Sequence, residues 1–148
     1  MASQEKIKAI KELHPDYVLL VKEGEFYHSY GKDAYIVSYL LGYKLKKVND
    51  TKICGFPTIS MNKVLSKLES KKINYILVDK RNNYEVEDQE NFKNLNNYNK
   101  AFYKAKEHIN RRIRVENINE YILKIVDEDN FKNIINQVEK IIDENRKI

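Results

Sequence analysis

The run Val18-Leu19-Leu20-Val21 constrains this chain more than any other stretch. Four consecutive apolar residues leave no polar side to turn toward water. The run therefore reads as a strand buried on both faces, and such a strand needs a packed layer above and below it. Gly24 then interrupts the pattern, as a bulge or a tight turn would. Beyond it, Phe26, His28 and Tyr30 alternate with Tyr27 and Ser29. A strand sends the two sets to opposite faces, one toward the core and the other toward solvent or a partner.

The surrounding segments supply the layers. Ile7, Ile10 and Leu13 recur at helical spacing within Glu5–Leu13, and Pro15 ends that helix. Ala34, Val37, Ser38 and Leu41 share a helical face, with Asp33 as the expected N-cap and Gly42 as the left-handed C-terminal cap. Tyr43–Val48 and Ile53–Phe56 read as strands joined through Asn49-Asp50. Ser60 reads as the N-cap of a helix carrying Met61, Val64, Leu65 and Leu68. Tyr75-Ile76-Leu77-Val78 is a second buried strand, and Tyr84–Glu87 alternates like an edge strand. Helices alternating with strands predict an α/β (α+β) class: a mixed β-sheet flanked by helices, followed by a helical C-terminal extension.

That extension is expected from the point where the pattern becomes purely helical, which divides the chain into residues 1–88 and 89–148. Leu95, Tyr98, Phe102, Ala105, Ile109 and Ile113 form an apolar stripe at three- and four-residue spacing. Lys93, Lys100, Lys104 and Arg111 fall within roughly 40° of one another on the opposite side of the same helix. Lys93–Arg114 holds seven basic residues against the single acid Glu107, whereas Val115–Ile148 holds five basic and eight acidic. The last helix presents Phe131, Ile134, Ile135, Val138, Ile141 and Ile142 on one side. Its apolar face is expected to be buried on the rest of the chain, on a second copy or on a helical partner.

Composition narrows the function classes. Over 148 residues the net charge is +5, which is compatible with a polyanionic partner. Cys54 is the single cysteine, so no internal disulfide can form and a reducing, cytoplasmic setting is expected. No apolar run approaches a membrane span, and Met1-Ala2-Ser3-Gln4 has no signal-peptide character. His14, His28 and His108 lack metal-ligand spacing, and no nucleophile–base pattern is readable. The expectation is a protein without catalytic residues, metal or cofactor.

The motifs fall in an order that resembles a known family. His14-Pro15-Asp16, the apolar Leu19-Leu20, and Gly24-Glu25-Phe26-Tyr27 are similar to the start of the N-terminal mismatch-recognition domain (domain I) of the MutS DNA mismatch repair family. Asp33-Ala34, Leu40-Leu41, Lys44-Leu45-Lys46-Lys47 and Gly55-Phe56-Pro57 follow in the family's order. The resemblance covers about residues 7 to 80. It implies that Phe26 enters the minor groove and stacks on a mispaired base of double-stranded DNA. The chain departs from the family at His28, where the family has a glutamate that bonds the displaced base, and at Thr58-Ile59, where it has Tyr-His. No Gly-x-x-x-x-Gly-Lys-Ser/Thr phosphate loop is present, so the family's ATPase is not expected here.

The candidate DNA-binding residues are therefore Phe26 as a wedge, His28 as its polar neighbour, and Lys44, Lys46, Lys47 and Lys52 as phosphate contacts, with the later basic stripe beside them. Each has a plainer reading. Phe26 can be an edge-strand aromatic and the lysines a solvated face. The alternative for the whole chain is a non-catalytic interaction or oligomerisation module that keeps the fold without DNA binding.

Overall fold

A computed structural model describes residues 2–146. Its elements run α1 (Ala2–Leu13), β1 (Val18–Glu23), β2 (Phe26–Tyr30), α2 (Lys32–Leu41), β3 (Leu45–Val48), β4 (Thr51–Pro57), α3 (Met61–Ser70), β5 (Tyr75–Asp79), β6 (Glu85–Glu90), α4 (Asn96–Lys124) and α5 (Phe131–Arg146). The six strands form one sheet in the order β3-β4-β2-β1-β5-β6. Only β1 and β5 run parallel, so the sheet is mixed as the sequence pattern implies.

The apolar run lies at the centre of this sheet, and Val18–Val21 are all buried. Val18 and Leu20 face one side, where they join Tyr27, Ala34, Val37, Phe56, Val64 and Leu68 in the larger core. Leu19 and Val21 face the other side and join Ile76 and Val78, with Ile7, Ile10 and Tyr17 packed against them. Thus α2 and α3 cover one side and α1 the other, the two layers a doubly buried strand requires. At the edge, β6 is exposed along its whole length and rich in acidic residues (Glu85-Val86-Glu87-Asp88-Gln89-Glu90), a charge pattern that discourages pairing with a further strand.

Turn chemistry follows the residues. Gly24 has φ +68° and lies at the first position of the two-residue loop joining Glu23 to its cross-strand partner Phe26, the position where a type II′ hairpin needs glycine. Asn49 and Asp50 both have positive φ, as a type I′ turn between β3 and β4 demands. Gly42 caps α2 in the left-handed conformation, with its N–H donated to the Ser38 carbonyl.

One capping expectation is corrected. Gly31, not Asp33, is the N-cap of α2. Asp33 lies in the first helical turn and points inward, where its carboxylate accepts hydrogen bonds from the Leu19 N–H, Lys11 Nζ and the Tyr98 hydroxyl. Burial pushes this carboxyl above the usual carboxylate range, against the opposing influence of Lys11 and the donated hydrogen bonds. Ser60 is the N-cap of α3 as expected, but its side chain makes no capping bond, and a 3-10 turn over Thr58–Ser60 leads into the helix.

The chain divides into two compact units, residues 1–109 and 110–148. The first unit extends well past residue 88 because α4 contributes to its core. Tyr98, Phe102 and Ala105 are buried, while Leu95 lies outside the helix and is exposed. In the second unit Ile125, in the turn just after α4, is buried. No residue of α5 is fully buried: Phe131, Ile134, Ile135 and Val138 are half-buried, and Ile141 is 60% exposed. The full burial expected of this apolar face does not occur within the second unit.

Candidate nucleic-acid interface

The β1–β2 hairpin presents Phe26. Its tight turn leaves Phe26 first on β2, with Glu23 opposite on one neighbour and Pro57 on the other. The turn is also tied down from just beyond β4, since the Thr58 N–H donates to the Glu25 carbonyl at 2.9 Å. A held aromatic ring at a hairpin tip is unusual for a core residue, and Phe26 is 50% exposed.

Strand alternation settles which ring set faces outward. Tyr27 and Ser29 are buried; Tyr27 stacks on Phe56, and Ser29 donates to the Cys54 carbonyl. Phe26, His28 and Tyr30 take the opposite face, with successive ring centroids 6.4 Å apart along the strand. The helix that packs on β2, β3 and β4 is α2, and it does so from the Tyr27 side. The three-ring row is therefore left partly open to solvent.

Glu23 organises the polar part of this row. Its Oε1 accepts a hydrogen bond from the Tyr30 hydroxyl and lies 3.5 Å from His28 Nδ1, and its Oε2 is 3.9 Å from Lys80 Nζ. Burial, and after it the Glu23 carboxylate, raise the Tyr30 phenol well above its ordinary value. His28 Nδ1 is buried and makes no hydrogen bond among the described residues. The imidazole packs over β4 at Gly55, where an added Cβ would sit 2.9 Å from His28 Cδ2 and 3.1 Å from Nε2. Gly55 thus gives the ring its seat.

The lysines do not form one surface. Lys46 pairs with Ile53, which is in register with Tyr30, so Lys46 lies on the face of the ring row. Lys47 and Lys52 pair with each other on the opposite face, flanking the position of Cys54, and Lys47 Nζ is 3.5 Å from Asp50. Lys44 precedes β3 and is exposed. Of the later stripe, Lys93 lies outside α4 with φ +59°, while Lys100 and Lys104 lie on α4. Glu23 and Gly55 were not singled out for roles in the sequence pattern. Glu23 adjoins the hairpin motif and Gly55 opens the Gly55-Phe56-Pro57 motif, but their parts depend on cross-strand pairing.

Residues 2–114 match the family MutS domain I. The chain belongs to this family. Among its relatives, the DNA mismatch repair protein MutS of Treponema pallidum (strain Nichols) is 49% identical over 49 residues, covering 33% of this chain and 5% of the relative. The DNA mismatch repair protein MutS of Flavobacterium johnsoniae is 36% identical over 83 residues, covering 46% of this chain and 10% of the relative. That of Thermotoga maritima is 38% identical over 64 residues, covering 43% and 8%. The chain spans a tenth or less of the length of these relatives.

In this MutS domain I chain, separated sequence motifs become neighbours. The Gly24–Tyr27 hairpin and Gly55-Phe56-Pro57 lie side by side, with Phe26 opposite Pro57, Tyr27 opposite Phe56 and His28 opposite Gly55. Among the described residues no three His, Cys, Asp or Glu side chains gather as a metal site, and no helix is long and apolar enough to cross a membrane.

Proposed function

We propose that this chain is a non-catalytic, cytoplasmic DNA-binding module that acts on double-stranded DNA through the open face of β2, with Phe26 as a wedge at mispaired or easily deformed base steps. The observation that carries the reading is the half-exposed Phe26 on a pinned hairpin, in a family whose relatives are DNA mismatch repair proteins. An apolar ring inserted at a base step costs a few kcal/mol of unstacking, and mismatched or flexible steps cost least. Discrimination then comes from deformability, and no cofactor or metal is needed. Lys46 lies on the same face as the wedge and supplies phosphate contact beside it, with Lys44, Lys47 and Lys52 around the β3–β4 hairpin. His28, seated between Phe26 and Tyr30, offers its ring edge to the displaced base.

The test is a fluorescence-anisotropy titration of the chain with matched and singly mismatched duplexes at two salt concentrations. The wedge contributes a term that depends on the base step, and the lysines contribute one whose log affinity falls by about 0.9 per neutralised phosphate per decade of salt. Phe26→Ala should lower the preference for the mismatch and leave the salt slope unchanged. Lys46→Ala with Lys47→Ala should weaken both duplexes and flatten the slope. An unchanged matched-to-mismatched ratio in Phe26→Ala would sink the wedge.

A second reading is favoured by residues 110–148, where Val115, Ile118, Leu123 and Ile141 are exposed. On this reading the chain is an interaction module that forms a homodimer or holds a helical partner through these side chains. Light scattering of the full chain and of a chain ending at Ile109 separates the two: only the interaction reading requires the longer chain to self-associate or capture a partner.

A further inference from the structure

The basic stripe on α4 meets a second one. Lys100 and Lys104, one turn apart on α4, line a cleft of about 410 Å³ together with Lys67 and Lys71, one turn apart at the end of α3. Tyr39 of α2 and Asn97 complete its polar wall, and no acidic residue lines it. Among the described residues, none of these four ammonium groups has an ion-pair partner.

The arrangement is unfavourable when empty. Like charges four residues apart on a helix repel, and here two such pairs face a common concavity. The α3 pair has a local explanation, since cations are stabilised at a helix C-terminus. The α4 pair has none. Lys100 and Lys104 lie one and two turns in from the start of a helix that runs to Lys124, far from the C-terminal turn where a cation is stabilised. Four cations around one concavity focus a positive potential that a multiply charged anion relieves. Lysine acts there as a point charge and suits phosphate oxygens without requiring a planar, bidentate partner.

We propose that this cleft is an anion site for a phosphorylated ligand bearing at least two negative charges, either consecutive backbone phosphates of a nucleic acid or a free di- or triphosphate. It is formed by the helical layer on the Tyr27 side of the sheet, and Phe26 projects from the other side, so the site is separate from the proposed wedge. The Tyr39 ring, which packs against His108 at a centroid distance of 5.1 Å, forms a wall against which a base of either ligand can stack.

The test follows the backbone amide signals of Tyr39 and Asn97 by NMR while the full chain is titrated with sodium pyrophosphate, and with sodium chloride at matched ionic strength. Saturable shifts with pyrophosphate and none with chloride are expected. Lys67→Glu with Lys104→Glu should weaken pyrophosphate at least tenfold, whereas Lys8→Glu, on the exposed side of α1, should leave it unchanged. Lys67→Gln with Lys104→Gln removes charge without adding any and carries the same test if the glutamate pair perturbs folding. A short duplex that displaces pyrophosphate identifies the source as nucleic-acid backbone; one that does not identifies it as a free phosphorylated ligand. Shifts that are linear and equal for the two salts, or affinity retained in both double variants, would overturn the proposal.

Discussion

The His28 imidazole rests on Gly55 so closely that a single added carbon at that position would lie 2.9 Å from the ring. Gly55 has no positive φ, so its backbone accepts any residue and the constraint is purely one of space. The prediction for Gly55→Ala is therefore divided. The stability change stays within about 1 kcal/mol, because a less flexible unfolded chain offsets the crowding of a movable, half-buried ring. His28 itself must shift, and with it the 3.5 Å approach to Glu23. NMR of the imidazole carbons should show large changes at His28 and small ones at His14. An unmoved His28 would mean that β4 yields instead.

Cys54 is fully buried, and burial pushes its thiol up to about 12. An unfolded cysteine ionises near 8.5. The folded state therefore holds its proton where the unfolded state has lost it. The stabilising difference is complete below about pH 8.5 and is lost as pH rises toward 12. In native buffer at pH 8 the thiol should not react with a thiolate-selective reagent, and it should react fully in denaturant. Urea unfolding at pH 8 and pH 10 should show the natural chain losing about 2 kcal/mol more than Cys54→Ala, a comparison that cancels the other titrating groups.

Asp33 binds three elements at once, through Lys11 of α1, Leu19 of β1 and Tyr98 of α4. Asp33→Ala leaves a buried N–H and a buried hydroxyl unpaired and removes the carboxylate 3.0 Å from the Lys11 ammonium, which keeps only the Pro15 and Tyr17 carbonyls as acceptors. The expected cost is about 3–5 kcal/mol. Tyr98→Phe removes one donor and leaves the carboxylate two others, so about 1–3 kcal/mol is expected. Thermal melts of the two variants should rank in that order.

The same residue shows where sequence reading stops. The buried run Val18–Val21, the hairpin glycine Gly24, the Asn49-Asp50 turn and the Gly42 cap are local, and composition and period announce them. Asp33 before an apolar helical face is a sound N-cap by local chemistry. Its inward role depends on partners 14, 22 and 65 residues away, which no local pattern encodes. The site divides along the same line. Alternation gave the two ring sets on β2, but only the placement of α2 on the Tyr27 side shows which set stays open. Lys46 and Lys47 are adjacent in sequence, and the pleat sends them to opposite faces once β3 is paired. The lysine cleft depends on α3 and α4 meeting.

Chain truncation tests where the sheet unit ends. A cut after residue 88 falls where the sequence changes from strand-like to helical periodicity, yet it passes through β6 and removes the start of α4. That removes Tyr98 and Phe102 from the core around Val37 and Val64, takes the Tyr35–Phe102 ring contact, and leaves Asp33 without its Tyr98 donor. Burying a large aromatic side chain stabilises by about 1.5–3 kcal/mol, so losing two of them with the hydroxyl bond consumes much of the 5–15 kcal/mol that a small domain has in hand. A chain ending at Ile109 keeps all of these contacts and gives up only residues of the second unit. The prediction is that the 1–109 chain unfolds cooperatively on heating, with a midpoint close to that of the whole chain, and that the 1–88 chain shows no cooperative transition. Near-ultraviolet circular dichroism reports the packed tyrosines directly. A cooperative melt of the 1–88 chain with a native tyrosine signal would show that the core closes without α4, and the boundary would then belong at the end of the sheet.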